Sequence, residues 1–182
     1  MRHNPYKIVK MFEETVADYC GSKYAVSTDN CTDALLLCCE YLKVQEVTIP
    51  NRTYLSVPQS IMHAGGTVKF KDYRWKGVYQ LEPYPIYDAA KRFTSGMYIP
   101  GSYMCLSFHI KKHLKIGKGG MILTDDEEAA VWFRKGRYEG RGEVMYMQNY
   151  PEHVDDLPEE PFYRDLTEFS LFKDVEVETV DE

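Results

Sequence analysis

Tyr103-Met104-Cys105-Leu106-Ser107-Phe108-His109-Ile110-Lys111-Lys112-His113-Leu114 runs on into Gly117-Lys118-Gly119-Gly120-Met121-Ile122-Leu123-Thr124, and this stretch decides the fold. Tyr103 to Leu106 is an apolar, strand-like run. It delivers Ser107 and then Lys112 into a basic, glycine-rich turn. Met121 to Thr124 is a second apolar strand leaving that turn. A lysine set against close-packed backbone suits Schiff-base chemistry, because a sheltered amine loses its proton more readily and can attack a carbonyl.

Working upstream, Tyr87-Asp88-Ala89-Ala90 ends another apolar run and supplies a carboxylate. Ile8, Val9, Met11, Phe12, Val16 and Tyr19 fall at helical spacing over residues 7–19, and Gly21 stops that helix. Lys23 to Ser27 reads as a short strand. Asp29 to Thr32 offer caps for an apolar helix over Asp33 to Leu42. Val47 to Pro50 is a strand, Tyr54 to His63 a helix closed by Ala64-Gly65-Gly66, and Val68 to Phe70 a strand. Alternating strands and helices predict a parallel sheet with right-handed crossovers. Between that strand and Asp88 the chain holds Trp75, Gly77, Pro83 and Pro85, with no helical period and too few residues for a crossover helix. Residues 126–138 form a last helix.

Composition removes several classes of function. The 182 residues suffice for one sizeable core. The net charge is −6 and no basic stripe stands out, which argues against nucleic-acid binding through a positive surface. Five cysteines without a repeating pattern fit buried free thiols in a reducing compartment better than disulfides or zinc. Met1 to Pro5 has no apolar leader core, and no run is long enough to span a membrane, so the expectation is a cytoplasmic protein with no membrane partner. His109 and His113 are four apart but lack an acidic or cysteine partner at ligand spacing, so no metal is expected. The Gly117-Lys118-Gly119-Gly120 string fails as a nucleotide P-loop, since no Ser or Thr follows Lys118.

Five motifs stand in a telling order: Asn30-Cys31-Thr32-Asp33-Ala34-Leu35, Pro50-Asn51-Arg52-Thr53-Tyr54, Asp88-Ala89-Ala90, Ser107-Phe108 with Lys112, and Gly117-x-Gly119-Gly120. Together they resemble the DegT/DnrJ/EryC1/StrS family of sugar aminotransferases that use pyridoxal 5'-phosphate (PLP), from about Phe12 to about Gly140. The resemblance implies an α/β fold, the large domain of a type I PLP-dependent transferase, with flanking helices and here truncated. It implies a PLP-binding domain over residues 1–145, shortened internally near 73–86, followed by an acidic tail over 146–182. That tail ends in the alternating Val175 to Glu182, as compatible with disorder as with an edge strand. The family's smaller second domain is not recognisable.

By the same resemblance Lys112, five residues after Ser107, is the Schiff-base lysine, and the bland alternative is a surface lysine in a turn with Lys111, Lys115 and Lys118. Asp88 would hold the ring nitrogen protonated, or else be a strand-end turn residue. Tyr54 would stack on the ring, or be a core tyrosine. Thr32 and Asp33, opening the apolar helix, and Ser107 would bind phosphate; as ordinary caps and strand-end residues they need no ligand. Lys91 stands where the family carries a polar group for the phenolic oxygen. The implied reaction moves an amino group, from a glutamate-like donor, to a keto sugar nucleotide, in a homodimer or larger homo-oligomer. The rival reading is a family-derived binding or assembly protein with a vestigial PLP site.

Overall fold

The computed structural model describes residues 6–138, which lie within one compact unit spanning 3–142. The expected tail over 146–182, including its alternating end, lies outside the described residues.

Among the described residues four helices and seven strands follow in order: α1 Lys7–Cys20, β1 Tyr24–Thr28, α2 Cys31–Tyr41, β2 Glu46–Pro50, α3 Ser56–His63, β3 Thr67–Lys71, β4 Tyr79–Gln80, β5 Ile86–Asp88, β6 Tyr103–Ser107, β7 Gly120–Thr124 and α4 Glu127–Gly136. Local chemistry sets the helix ends. Gly21, at φ 83°, closes α1 in the left-handed region that L side chains avoid, and its N–H bonds the Ala17 carbonyl at 2.8 Å. Asn30 caps α2 by accepting from the Asp33 N–H, and Asp126 caps α4 by accepting from the Ala129 N–H. Helix α3 begins at Ser56, two residues later than its apolar pattern suggests, which leaves Tyr54 in the approach to the helix.

The main sheet has the order β1-β7-β6-β5-β4, and β2 pairs with β3 in a second, parallel ladder. Thr48 and Glu82 join the two: the Thr48 N–H bonds the Glu82 carbonyl at 2.8 Å and the Glu82 N–H bonds the Thr48 carbonyl at 3.0 Å. The fold is α/β as expected, but the sheet is mixed. Only β5–β6 and β2–β3 are parallel; β1–β7, β7–β6 and β4–β5 are antiparallel. The reason is connection length. Residues 81–85 link β4 to β5 and the turn over 108–119 links β6 to β7; neither forms a crossover helix, so each strand folds back on its neighbour. Residues 89–102 are enough to carry β5 into a parallel β6. The segment near 73–86 therefore forms a short hairpin with no helix.

Two hydrophobic layers sandwich the central strands. Leu35, Cys38, Ile61 and Phe133 from α2, α3 and α4 pack on Cys105 and Ile122. Val16, Ala17 and Cys20 of α1 lie with Met104, Leu106, Met121 and Leu123 in the other layer. Alternate residues of β6 and β7 thus bury opposite faces, which is why both read as unbroken apolar runs.

Candidate active site

The carboxyl ends of β5 and β6 carry Asp88 and Ser107 to the mouth of one cavity of about 410 Å3. The start of α2 (Asn30, Cys31, Thr32), the start of α3 (Tyr54, Ser56) and the turn after β6 (His109, Lys111, Lys112, Lys118) supply most of the rest of its lining. Ligand sites in open α/β sheets form at strand carboxyl ends. Gly120 makes this geometry possible. A Cβ there would fall 2.3 Å from the Asn30 carbonyl carbon and 2.6 Å from the Cys31 nitrogen, so only glycine lets the first residue of β7 touch the start of α2.

Asp88 is 5% exposed. Its Oδ2 accepts the Tyr79 hydroxyl at 2.9 Å and its Oδ1 accepts the Ala90 N–H at 2.9 Å. Burial pushes its carboxyl above the usual range. The Ala90 and Tyr79 hydrogen bonds, and then the Lys112 and Lys91 charges, pull the other way. A buried carboxylate with two donors keeps lone pairs for a further one, most favourably a cation.

Lys112 is half-buried, whereas Lys111, Lys115 and Lys118 are exposed. The difference separates it from the other lysines of the turn. Backbone bonds hold the turn: Phe108 N–H to Gly119 at 2.9 Å, Ile116 N–H to Phe108 at 3.1 Å and Lys112 N–H to His109 at 2.8 Å. Burial, and then the Asp88 charge, push the Cys31 thiol well above its ordinary value, so this cavity-wall sulfur stays protonated and unreactive.

Five of the seven residues anticipated from sequence meet here: Thr32, Tyr54, Asp88, Ser107 and Lys112. Tyr54 stands at the mouth, 74% exposed. Asp33 and Lys91 do not line the cavity. The Asp33 N–H is taken by the Asn30 Oδ1 at 2.9 Å, and its carboxylate receives the Asn30 side-chain amide at 2.5 Å, beside a separate hollow lined by Asp29 and Arg137. The capping bond thus uses the donor expected to face a phosphate. The Lys91 ammonium sits over the Trp75 ring, 5.3 Å from its centroid, an attraction that draws it along the protein surface. Two features, one on the cavity wall and one behind it, escaped the sequence reading. Ser56 accepts the Thr32 hydroxyl at 2.8 Å, a bond that a serine at a helix start could have signalled. Tyr79, which holds Asp88, lies in a segment whose sequence reads only as a linker.

The family profile of the DegT/DnrJ/EryC1/StrS aminotransferases matches residues 2–100 and 98–157. The chain belongs to this family. The match continues past Gly140, where the recognisable motifs end. Among curated relatives, GDP-perosamine synthase of Caulobacter vibrioides is 26% identical over 181 residues, with 74% of this chain and 48% of the relative covered. The spore coat polysaccharide biosynthesis protein SpsC of Bacillus subtilis is 27% identical over 169 residues, with 67% and 43% covered. The chain spans about half the length of the curated relatives it matches, or less. Solved structures share the fold: a DegT/DnrJ/EryC1/StrS aminotransferase from Brucella abortus (TM-score 0.61, 19% identity, 85% of this chain and 53% of that one) and NtdA of Bacillus subtilis with its cofactor PMP bound (TM-score 0.60, 19% identity, 75% and 40%). Among the described residues no helix is long and apolar enough to cross a membrane.

Proposed function

We propose that the cavity binds pyridoxal 5'-phosphate and that the chain serves amino transfer from a glutamate-like donor to a keto sugar nucleotide. The observation that carries this reading is the pairing of a half-buried lysine, Lys112, with a buried carboxylate, Asp88, across one cavity at the strand ends. The residues present fit the cofactor. Asp88 has acceptor capacity for the protonated ring nitrogen, and that cation offsets the cost of the buried charge. The start of α2, with the hydroxyls of Ser56 and Ser107 and that of Thr32 once it turns away from Ser56, offers donors and a positive dipole end for a phosphate. Tyr54 offers a ring face. When bound, the cofactor supplies an electron-withdrawing ring that stabilises negative charge at the carbon beside the transferred nitrogen.

This chain's own residues do the rest. Lys112 holds the cofactor through its amine and then moves a proton at that carbon. Lys111, Lys118 and His109 give the outer wall a basic character suited to a diphosphate. Tyr54 and Leu55, 74% and 71% exposed, and Ile110 and Ile116, 61% and 54% exposed, lie on the two segments around the mouth. A second copy of the chain covering them would exclude water from the site. Sedimentation at micromolar concentration should then show a dimer or larger species, and a monomer that transaminates would refute the shared site.

The capped Asp33 N–H favours the vestigial reading, because it leaves one donor fewer for a phosphate. One experiment separates the two. Purified protein titrated with PLP should develop a visible absorption band, and glutamate should then discharge it. A band that glutamate leaves untouched, or no band at all, would overturn the aminotransferase and support the binding or assembly protein with a vestigial site.

A further inference from the structure

We propose that Tyr79 is a positioning residue: seated between Thr53 and Asp88, it orients the carboxylate and keeps it charged for a cationic ring nitrogen, a role that rests on the functional reading above. Tyr79 and Asp88 are directly opposed in the antiparallel β4–β5 pair, so both side chains leave the same face of the hairpin. Besides Tyr79, β4 contains only Gln80, whose side chain bonds the Tyr84 carbonyl and receives the Tyr87 hydroxyl within the hairpin. Tyr79 alone in this strand points its polar group at the cavity carboxylate.

The ring is buried, and its hydroxyl is held at both ends. It is 5% exposed and packs on Trp75 at 4.7 Å between centroids, while the Trp75 Nε1–H bonds the Arg52 carbonyl at 2.9 Å. The Tyr79 hydroxyl makes two short contacts, 2.9 Å to Asp88 Oδ2 and 2.6 Å to Thr53 Oγ1. Proton bookkeeping sets their direction. An ionised carboxylate only accepts, so Tyr79 donates its single proton to Asp88, and Thr53 must donate to Tyr79. Each bond in such a chain polarises the next, and the chain ends on the carboxylate. Burial and the nearby Asp88 charge hold the Tyr79 phenol far above its ordinary value, so it remains a donor at every working pH. A phenylalanine would fill the same space and pack on the same tryptophan. The hydroxyl is the part that serves Asp88.

The groups that face Asp88 and titrate or carry charge are Tyr79 from β4, Lys91 after β5, Lys112 in the turn after β6, Cys105 on β6 and Cys31 on α2. Tyr79→Phe leaves the others in place, so a change in Asp88 reads the hydroxyl.

The test follows the Asp88 carboxyl by carbon-13 NMR titration in cofactor-free protein and measures PLP affinity against pH, for the wild type, Tyr79→Phe and Thr53→Val. Losing a donor to the charged form should raise the Asp88 midpoint by roughly one pH unit in Tyr79→Phe, and less in the same direction in Thr53→Val. PLP affinity, which needs the ionised acid, should begin to fall on acidification roughly one unit higher in Tyr79→Phe. Near-ultraviolet circular dichroism checks that each variant is folded; should Tyr79→Phe fail this check, Thr53→Val carries the test, since it removes the donor to Tyr79 while leaving the residues of β4 and Asp88 unaltered. An unshifted Asp88 midpoint in protein that binds PLP overturns the role of Tyr79 alone. Wild-type protein that does not bind PLP overturns the functional reading, and with it the purpose assigned to Tyr79.

Discussion

Gly120→Ala should couple the stability of the fold to the integrity of the site. The added methyl would lie 2.3 Å from the Asn30 carbonyl carbon, 2.4 Å from its oxygen and 2.6 Å from the Cys31 nitrogen. Ordinary contact begins at 3.4 Å, so the backbone at the start of α2 must retreat by about 1.1 Å. All three neighbours are main-chain atoms, and no rotamer change relieves the clash. Asn30 is also the cap of α2, and its side chain and carbonyl hold the Asp33 and Ala34 N–H groups. On the other side, β7 is locked between β1 and β6 and fully buried. Forcing extra volume into a packed core costs about 1–3 kcal/mol, and a backbone neighbour puts this site at the upper end, about 3 kcal/mol. For a chain of this size that is a fall in Tm of about 6–12 °C. Thermal and urea denaturation would measure it, with PLP binding as a parallel readout, because the same shift displaces Cys31 and Thr32 on the cavity wall. A variant as stable as the wild type, with unchanged PLP affinity, would refute the claim that contact between Gly120 and the start of α2 builds the site.

Two further substitutions probe the carboxylates. Asp88→Asn should leave the protein folded, because a neutral side chain relieves the cost of a buried charge. That cost appears as pH rises above the ordinary carboxyl value of 3.8 and through the raised folded value, so urea denaturation should show the variant at least as stable as the wild type at neutral pH. PLP affinity and amine transfer should fall by the worth of a charge-assisted hydrogen bond, about 1.5–3 kcal/mol, and unchanged turnover would reduce Asp88 to a strand-end residue. Asp126→Ala should cost about 1 kcal/mol as a lost helix cap, with the Tyr103 hydroxyl losing its acceptor as well. The Ala129 N–H bond holds the Asp126 carboxyl below its ordinary 3.8, so its stabilising effect is complete above that value and disappears as the pH falls through the folded one. Acid denaturation profiles of the two proteins should therefore converge at low pH; a constant gap would count against this assignment.

The parts of the site carried by local sequence were legible from it. Asp88 and Ser107 end apolar runs, and a strand end in an α/β fold is where ligand chemistry sits, so their meeting in one cavity follows from pattern alone. The family resemblance points to Lys112 through its place five residues after Ser107, but its partial burial among exposed lysines depends on how the turn closes against Gly119. The sequence does not show that the Asp33 N–H is engaged: one N–H serves one acceptor at close range, and the Asn30 side chain, three residues upstream, takes it. The place of the Lys91 ammonium over the Trp75 ring was not legible either, because a long cation goes to whatever surface is near. The β4–β5 hairpin and Tyr79 share one origin. The segment from Trp75 to Pro85 has no periodicity to read, and its pairing with β5 is decided by closure of the chain in three dimensions. The tyrosine that holds Asp88 was therefore hidden in what reads as a linker.

The central claim is that Lys112 is the residue that carries the cofactor. Incubation with PLP, borohydride reduction and peptide mass spectrometry test it most directly. A phosphopyridoxyl group should appear on Lys112 at near-unit occupancy and be absent from Lys112→Ala, which should keep the wild-type Tm because a half-buried side chain at a turn packs little. Label spread evenly over Lys111, Lys112, Lys115 and Lys118, or retained in Lys112→Ala, would contradict it.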